Sequence, residues 1–306
     1  MSAPSRNAGT LSVDVRAALK EARARMRDAG VASHTLAAEL LLMHTLGHDR
    51  AWLYTHPEAL LEPAEAEKYF SLVARRVAGE PTQYLTGRQE FWGLEFEVNP
   101  SVLIPRPETE HVVEVALERL GAQESSSPLR IADVCTGSGC LAVALARELP
   151  EAEVWATDTS AEALEVARCN ASRLAVDGRI HFVQCNLVEA LLHGSGIANH
   201  ESCAFDLIVS NPPYVARSEA AQLPREVRDY EPERALFAGE SGLEIYAPLT
   251  RQAEKLLRAG GILVLELGYN ALDHVRTLLR AEDRWHRVHV ANDLAGIPRV
   301  VSAERI

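Results

Sequence analysis

The chain has 306 residues, of which 47% are hydrophobic, and a formal net charge of -12 at pH 7. This length suits one large domain or two unequal ones, and the acidic balance argues against stable binding of nucleic acid, which needs a broad basic surface. No apolar segment approaches the ~20 residues of a membrane-spanning helix. No secretory signal is visible either, so we expect a cytoplasmic protein that does not bind membranes.

Cysteine and histidine positions indicate neither disulfides nor a metal site. The 11 histidines are scattered along the chain. The cysteines lack the paired spacing of zinc ligands and are odd in number: they are Cys135, Cys140, Cys169, Cys185 and Cys203. We therefore expect reduced thiols and no bound metal.

The first 85 residues carry helical patterns only. Apolar side chains at helical spacing predict helices over residues 11–29, 35–46 and 64–78. Gly30 and Gly79 are placed to end the first and the third of them. Residues 1–85 are therefore predicted to form a small helical bundle with its own core.

Residues 86–107 show a hydrophobic period of two. Phe91, Leu94 and Phe96 predict a short β-hairpin that turns at Gly93. The rigid Pro105-Arg106-Pro107 follows it. We interpret this region as a structured linker, followed by a helix over residues 108–120 and a serine-rich loop over residues 121–128.

From residue 130 onward, strands and helices alternate, as in βαβ units on a parallel sheet. The predicted strands are 130–134, 153–157, 180–184, 205–209 and 262–267, and the predicted helices are 140–149, 161–174, 243–258 and 270–281. Two last strands, 287–291 and 299–303, are close enough for a hairpin. A parallel sheet with an antiparallel end pair is typical of the Rossmann-like class I methyltransferases. The predicted class is α/β, with a methyltransferase domain over residues 108–306.

The first of these strands leads into a glycine-containing turn that opens a helix. Glycines allow the backbone to approach a ligand, and the helix N-terminus offers free N–H donors. The turn lacks the third glycine of the dinucleotide fingerprint, so it is a weak signal by itself. The candidate cofactor-binding residues here are Asp133, Cys135, Thr136, Gly137, Ser138 and Gly139.

The next two strands end in residues that suit a nucleoside. Asp158 follows the glycines at the ~20-residue spacing at which a carboxylate binds ribose hydroxyls. NAD enzymes and S-adenosylmethionine enzymes both use such a carboxylate, and a helix cap is the alternative. Asn186 lies where these folds hold adenine, with Leu187 positioned to pack on the ring. Asn186 could equally cap the helix that follows it.

The fourth strand ends in Asn211-Pro212-Pro213-Tyr214. Prolines remove N–H donors and stop the strand abruptly, which leaves carbonyl groups without paired donors. The Asn211 side-chain oxygen and the Pro212 carbonyl can accept both hydrogens of a planar NH2 group, and the Tyr214 ring offers a face for stacking. We therefore assign these four residues as the candidate catalytic set, which binds an amide or amino nitrogen, and we count Asn211 among the candidate cofactor-binding residues as well.

These motifs together resemble the N5-glutamine methyltransferases that modify peptide chain release factors. The resemblance covers nearly the whole chain. Its most specific part is the segment Leu103-Ile104-Pro105-Arg106-Pro107-Glu108-Thr109-Glu110 before the glycine turn. Asn-Pro-Pro-Tyr alone also occurs in methyltransferases that act on adenine, and a sister branch modifies a ribosomal protein.

The resemblance implies transfer of a methyl group from S-adenosylmethionine to the glutamine of a Gly-Gly-Gln loop in release factors. It also implies that residues 1–85 recognise the substrate and that the enzyme works as a monomer. The alternatives are a ribosomal-protein glutamine methyltransferase, an adenine-N6 methyltransferase, and a binding protein that has lost its activity. The acidic composition disfavours the adenine enzyme.

The chain departs from the family pattern at two positions. Cys135 stands where the family usually has Gly, and Asn186 where it commonly has Asp. A cysteine does not easily adopt a positive φ, so the turn must begin one residue later or tolerate strain. We expect both changes to weaken cofactor affinity without changing the reaction. Glu231 either shapes the acceptor pocket or is an ordinary loop carboxylate, and Arg106 is expected to pair with a carboxylate across the domain junction.

Overall fold

The computed structural model describes residues 13–121, 128–192, 204–281 and 283–306. These residues form two compact units. The helical unit comprises Met1–Gly87 with Arg225–Tyr230, and the sheet unit comprises Arg88–Pro224 with Glu231–Ile306. The beginning of the first predicted helix, most of the predicted serine-rich loop, and Cys203 lie outside the described residues.

The helical unit packs amphipathic helices around one core. Its N-terminal part contains α1 (Val15–Asp28), α2 (His34–Leu46), α3 (Arg50–Thr55), α4 (Pro63–Val77) and α5 (Thr82–Thr86). The Asp14 carboxylate accepts the N–H of Ala17 and starts α1, and the buried Tyr69 hydroxyl donates to the Ala38 carbonyl at 3.1 Å. The three predicted helices are present. The short α3 and α5 were not predicted, because five or six residues show too little periodicity.

The sheet unit begins with an antiparallel hairpin and continues as alternating strands and helices. In chain order its elements, together with α10, are β1 (Arg88–Phe91), β2 (Leu94–Glu97), α6 (Glu110–Gly121), β3 (Arg130–Val134), α7 (Cys140–Glu148), β4 (Glu153–Asp158), α8 (Ala161–Arg173), β5 (Ile180–Gln184), α9 (Glu189–Leu192), β6 (Phe205–Ser210), α10 (Arg225–Tyr230), α11 (Glu233–Leu236), α12 (Tyr246–Leu256), β7 (Leu257–Glu266), α13 (Leu272–Arg280), β8 (Trp285–Asn292) and β9 (Pro298–Arg305).

The described strands of this unit, apart from the β1–β2 hairpin, form one sheet in the order β5-β4-β3-β6-β7-β9-β8. The strands from β5 to β7 are parallel, whereas β9 runs antiparallel to both β7 and β8. Helices cover both faces and bury two apolar clusters. The predicted α/β class with an antiparallel end pair is therefore confirmed. All parallel strands end at the same edge, which is where such sheets bind ligands.

Two assignments from the sequence were wrong in detail. The helix predicted to end at residue 258 ends at Leu256, and β7 begins at Leu257 rather than at residue 262. Leu257 pairs with Phe205 before the register shifts. The register between β6 and β7 shifts at Gly261, where the two backbones approach closely. A Cβ on this residue would lie 3.0 Å from the Phe205 carbonyl oxygen.

The second difference concerns α10, which the sequence placed within the methyltransferase domain. This helix belongs to the helical unit. Its Glu226 forms an ion pair with the buried Arg76, and the Tyr230 hydroxyl donates to the Ala78 carbonyl at 3.3 Å. Among the described residues, no helix has the length and apolarity that crossing a membrane requires.

Candidate active site

A cavity of about 240 Å³ lies at the carboxyl edge of the sheet, within the sheet unit. Most of the candidate residues line it: Cys135, Thr136, Gly137, Ser138, Asp158, Asn186, Leu187, Asn211 and Pro213. Apolar side chains such as Leu103, Phe237 and Ile245 complete its walls. The candidates Asp133, Gly139, Pro212 and Tyr214 lie beside the cavity rather than in its wall.

The glycine turn adopts left-handed backbone conformations. Gly137 has φ of +55° and Gly139 has φ of +81°. A Cβ on Gly139 would approach the Cβ of Ala167 to 3.0 Å, so a glycine lets α7 begin close to α8. Cys135 has φ of 63°. Of the two outcomes expected for this cysteine, the structure shows the strained one, because the left-handed turn includes residue 135 itself.

Asp133 stabilises this turn through hydrogen bonds. Its carboxyl is almost fully buried and accepts hydrogen bonds from the Thr136 hydroxyl at 2.5 Å and the Ala142 N–H at 3.1 Å. Burial raises the pKa of Asp133 to about 7, against the opposing effect of these two donors. The other carboxyl oxygen has no protein partner. Asp133 therefore holds the loop that lines the cavity and does not itself line it.

Asp158, at the end of β4, presents its carboxylate to the cavity. One oxygen accepts the Gly137 N–H at 3.0 Å and the other accepts the Ser160 N–H at 2.9 Å. The N-cap of α8 is Ser160, whose hydroxyl accepts the N–H of Ala163. Asp158 is therefore not the helix cap. Each of its oxygens keeps a lone pair for a ligand hydroxyl.

Asn186 and Leu187 follow β5. Leu187 is buried in the cavity wall at φ of 50°, whereas Asn186 is exposed. The Asn186 amide nitrogen donates to the Glu189 carboxylate at 2.9 Å, in the first turn of α9. Asn186 therefore has features of both roles considered for it. It lines the cavity, as contact with adenine requires, and it also contacts the first turn of α9.

Asn211, at the end of β6, has a fixed amide. Its nitrogen donates to the Thr109 hydroxyl oxygen at 3.0 Å. The neighbouring Tyr214 hydroxyl donates to the buried Glu266 carboxyl at 3.1 Å, and the other Glu266 oxygen has no hydrogen-bond partner among the described residues. The Tyr214 ring packs against Gly268, where an added Cβ would lie 3.2 Å from it.

Arg106 and Glu231 form an ion pair that shapes one wall. The Arg106 guanidinium donates to Glu231 at 2.6 Å, and the second Glu231 oxygen accepts the Ile104 N–H at 3.4 Å. Glu231 is 5% exposed. The expected pairing of Arg106 with a carboxylate is confirmed, but it does not cross a domain junction, because both residues belong to the sheet unit. The pair holds the segment that places Leu103 and Pro105 in the cavity wall.

Sequence reasoning missed Thr109 and Glu266. Thr109 lies inside the proline-arginine segment, in a short 3-10 helix over Pro107–Thr109. Glu266 is the only acidic residue of the run 262–267, which is otherwise apolar. A carboxyl at a buried strand position is costly unless it has hydrogen-bond partners. A single carboxyl in an otherwise apolar strand pattern is therefore the feature of the sequence that could have identified Glu266.

The cavity suits S-adenosylmethionine by the chemistry of its donors. It has a carboxylate for ribose hydroxyls, an amide for the adenine edge, and apolar side chains for the ring. The chain also shares its fold with the hMettl16 catalytic domain solved with a MAT2A 3'UTR hairpin, with a TM-score of 0.54 at 18% identity, covering 76% of this chain and 81% of that one. The fold is therefore Rossmann-like, and the match of residues 113–226 to a methyltransferase family model places the chain among the S-adenosylmethionine-dependent methyltransferases of this fold.

Sequence comparisons identify the family within this class. A model of the PrmC N-terminal domain matches residues 17–87, and a model of the methyltransferase small domain matches residues 113–226. The release factor glutamine methyltransferase of Koribacter versatilis is 44% identical over 284 residues, which cover 93% of this chain and 96% of that protein. The corresponding protein of Nitratidesulfovibrio vulgaris is 40% identical over 97% of each chain. This chain belongs to the release factor glutamine methyltransferase family.

Proposed function

We propose that this enzyme transfers a methyl group from S-adenosylmethionine to the side-chain amide nitrogen of the glutamine in the Gly-Gly-Gln loop of a peptide chain release factor. The fixed amide of Asn211 is the observation that carries the proposal. Because its nitrogen is engaged by Thr109, its oxygen is the atom left to accept a hydrogen from the acceptor. The names of the relatives support the choice of acceptor.

The acceptor nitrogen is a poor nucleophile, because its lone pair is delocalised into the carbonyl group. The Asn211 oxygen and the Pro212 carbonyl would hold its two hydrogens and so fix its orientation. Both oxygens also stabilise the positive charge that develops on nitrogen as the new N–C bond forms. S-adenosylmethionine supplies an electrophilic methyl group on a sulfonium sulfur. The nitrogen then loses one hydrogen as a proton, and no strong base is required.

We assign the cofactor-binding roles from positions in the cavity. Asp158 would accept the ribose hydroxyls, and Asn186 would hydrogen bond with the adenine edge over Leu187. The turn Thr136-Gly137-Ser138 would approach the cofactor with its backbone. Asp133, with a buried oxygen that lacks a protein partner, would keep this turn in place.

We further propose that the helical unit recognises the release factor. We also propose that the enzyme is a monomer, acts in the cytoplasm and does not bind nucleic acid stably. Among the residues of this unit that the structure describes, three large apolar side chains are exposed: Leu36 at 46%, Tyr54 at 57% and Leu60 at 64%. Exposed apolar residues are common on contact surfaces. Leu36→Ser with Leu60→Ser should raise KM for the intact release factor and leave KM for a Gly-Gly-Gln peptide unchanged.

The matched control for that experiment is Leu294→Ser, since Leu294 is fully exposed in the sheet unit. It should change KM for neither substrate. An equal rise in KM for the protein and the peptide would contradict recognition by the helical unit.

The proposed reaction is tested with methyl-labelled S-adenosylmethionine and separately purified acceptors. The acceptors are intact release factors, ribosomal protein and duplex DNA. Mass spectrometry should place the label on the glutamine of the Gly-Gly-Gln loop. Label on a ribosomal-protein glutamine or on adenine, with none on a release factor, would overturn the proposal.

A further inference from the structure

Asn170 is a fully buried residue of α8 whose side chain binds the backbone of two other segments. Its side-chain oxygen accepts the Glu97 N–H at 2.7 Å. Its side-chain nitrogen donates to the Glu97 carbonyl at 3.0 Å and to the Ser138 carbonyl at 2.9 Å. The amide therefore uses both of its hydrogens and joins the end of β2 to the glycine turn.

The partners of Asn170 determine the orientation of its amide. A flipped side chain would place the oxygen against two carbonyl oxygens and the NH2 group against an N–H. Ser138 is 2% exposed, and a buried carbonyl without a hydrogen-bond partner is costly. The two segments are therefore held together by a side chain that belongs to neither of them.

One of these segments is the turn that lines the cofactor cavity. The Ser138 carbonyl accepts the Asn170 amide, and the N–H of the same peptide group, that of Gly139, donates to the Thr136 carbonyl at 2.9 Å. Gly139 lies close to Ala167, one turn before Asn170 on α8. Because Thr136 and Ser138 line the cavity, this face of α8 supports that part of the wall.

The other segment leads into a second part of the cavity wall. Glu97 ends β2 and is followed by the buried Val98. The Asn99 side-chain oxygen then accepts the Ser101 N–H at 2.9 Å, which turns the chain. Residues 101–103 line the cavity, whereas Glu97 does not. The position of Glu97 therefore determines where this part of the wall begins.

We propose that Asn170 is a positioning residue of the cofactor site, which fixes the separation between the glycine turn and residues 98–103 and so increases the affinity for S-adenosylmethionine. Asn170 does not line the cavity, so it acts through these two backbone segments. A ligand binds more tightly when the parts of its site are ordered before it arrives. The inference goes beyond the proposed function, because it concerns cofactor binding and requires no particular methyl acceptor.

The first test measures cofactor affinity by calorimetry with S-adenosylmethionine. Asn170→Asp keeps the shape of the side chain and an acceptor for the Glu97 N–H but loses both donors, and Asn170→Ala loses all three hydrogen bonds. We expect Kd to rise about tenfold in Asn170→Asp and at least as much in Asn170→Ala. A Kd equal to that of the parent in both variants would overturn the proposal, even if urea unfolding showed reduced stability.

The matched control is Thr250→Val, which removes a buried side-chain hydrogen bond elsewhere in the sheet unit. Thr250 is 4% exposed, does not line the cavity, and donates to the Tyr246 carbonyl at 2.9 Å. This variant should lose stability and keep the Kd of the parent. A rise in Kd as large as that of the Asn170 variants would contradict the proposal, because loss of any buried hydrogen bond would then weaken the cofactor.

A second measurement uses the parent protein alone and does not depend on activity or on a variant that folds. The Glu97 N–H donates to Asn170, so cofactor bound at the glycine turn should slow its hydrogen exchange. At a cofactor concentration about ten times Kd, NMR should show exchange slowed by up to about tenfold. The internal control is the Gly93 N–H, which donates to the Glu90 carboxylate at 2.6 Å in the turn of the same hairpin. If the cofactor slowed Glu97 exchange no more than Gly93 exchange, the inference would be wrong.

Discussion

The two sides of the cavity are built by different means. On the cofactor side, the shape depends on backbone conformation, with left-handed residues at Cys135, Gly137 and Leu187. On the acceptor side, it depends on side-chain hydrogen bonds, since the Asn211 amide donates to Thr109 and the Tyr214 hydroxyl donates to Glu266. A backbone-built site tolerates a change of side chain if φ and ψ are kept. A site built from hydrogen-bonded side chains loses its geometry when one member is removed.

The largest effect is expected on the acceptor side. Asn211→Ala removes the oxygen that orients the acceptor amide, and loss of one such preorganised group typically costs ~10²- to 10³-fold in rate. Steady-state kinetics with saturating cofactor should show this loss in kcat, while calorimetry shows unchanged cofactor binding. Asn292→Ala, at an exposed position of β8, is the control. Normal turnover of Asn211→Ala would refute the amide-binding mechanism.

A smaller effect is expected from the carboxylate on the cofactor side. Asp158→Ala removes a charge-assisted hydrogen bond to the ribose, worth about 1.5 to 3 kcal/mol of binding free energy. Calorimetry with S-adenosylmethionine should show the weaker binding, and Asp158→Asn should lose less because it keeps an acceptor. If Asp158→Ala bound the cofactor as tightly as the parent, Asp158 would serve only to hold the Gly137 and Ser160 N–H groups.

The backbone-built side is tested by two glycine substitutions that differ in available space. Gly139→Ala meets Ala167 as well as an unfavourable φ, whereas Gly137→Ala has open space and meets the unfavourable φ alone. Left-handed backbone costs a non-glycine residue about 1 to 2 kcal/mol. Urea unfolding should therefore show that Gly139→Ala loses more than Gly137→Ala. Equal losses in the free energy of unfolding would mean that α8 can move away from residue 139 without a cost in stability.

The smallest effect is expected at Cys135. Cys135→Gly relieves a left-handed strain of about 1 to 2 kcal/mol, but glycine loses about 0.5 to 1 kcal/mol more in conformational entropy on folding. The two terms partly cancel, so the free energy of unfolding should rise by about 0 to 1.5 kcal/mol. Cofactor affinity should rise slightly, as expected if the cysteine weakens binding by a small amount. A large gain in affinity would show that the cysteine distorts the turn rather than merely tolerating its φ.

Hydrophobic periodicity alone determined most of the fold. It predicted the three longer helices of the helical unit, the β1–β2 hairpin, and the strands that end at Asp158 and Asn211, because apolar spacing reports directly which face of an element is buried. It did not predict α3, α5, α10 and α11, which are too short to show a period. Nor did it show that α10 belongs to the helical unit, because that assignment depends on Glu226 meeting Arg76, 150 residues away in the chain.

The residues of the site likewise divide into those that the sequence predicted and those that only the structure revealed. Residues at strand ends could be found from the sequence, since the carboxyl ends of parallel strands meet at one edge. Thr109 and Glu266 could not be assigned a role, because they meet Asn211 and Tyr214 only through contacts between segments 102 and 52 residues apart. The pairing of Arg106 with Glu231 was likewise decided by folding. Sequence determined which chemical groups reach the sheet edge, and tertiary structure decided which of them are held in place by one another.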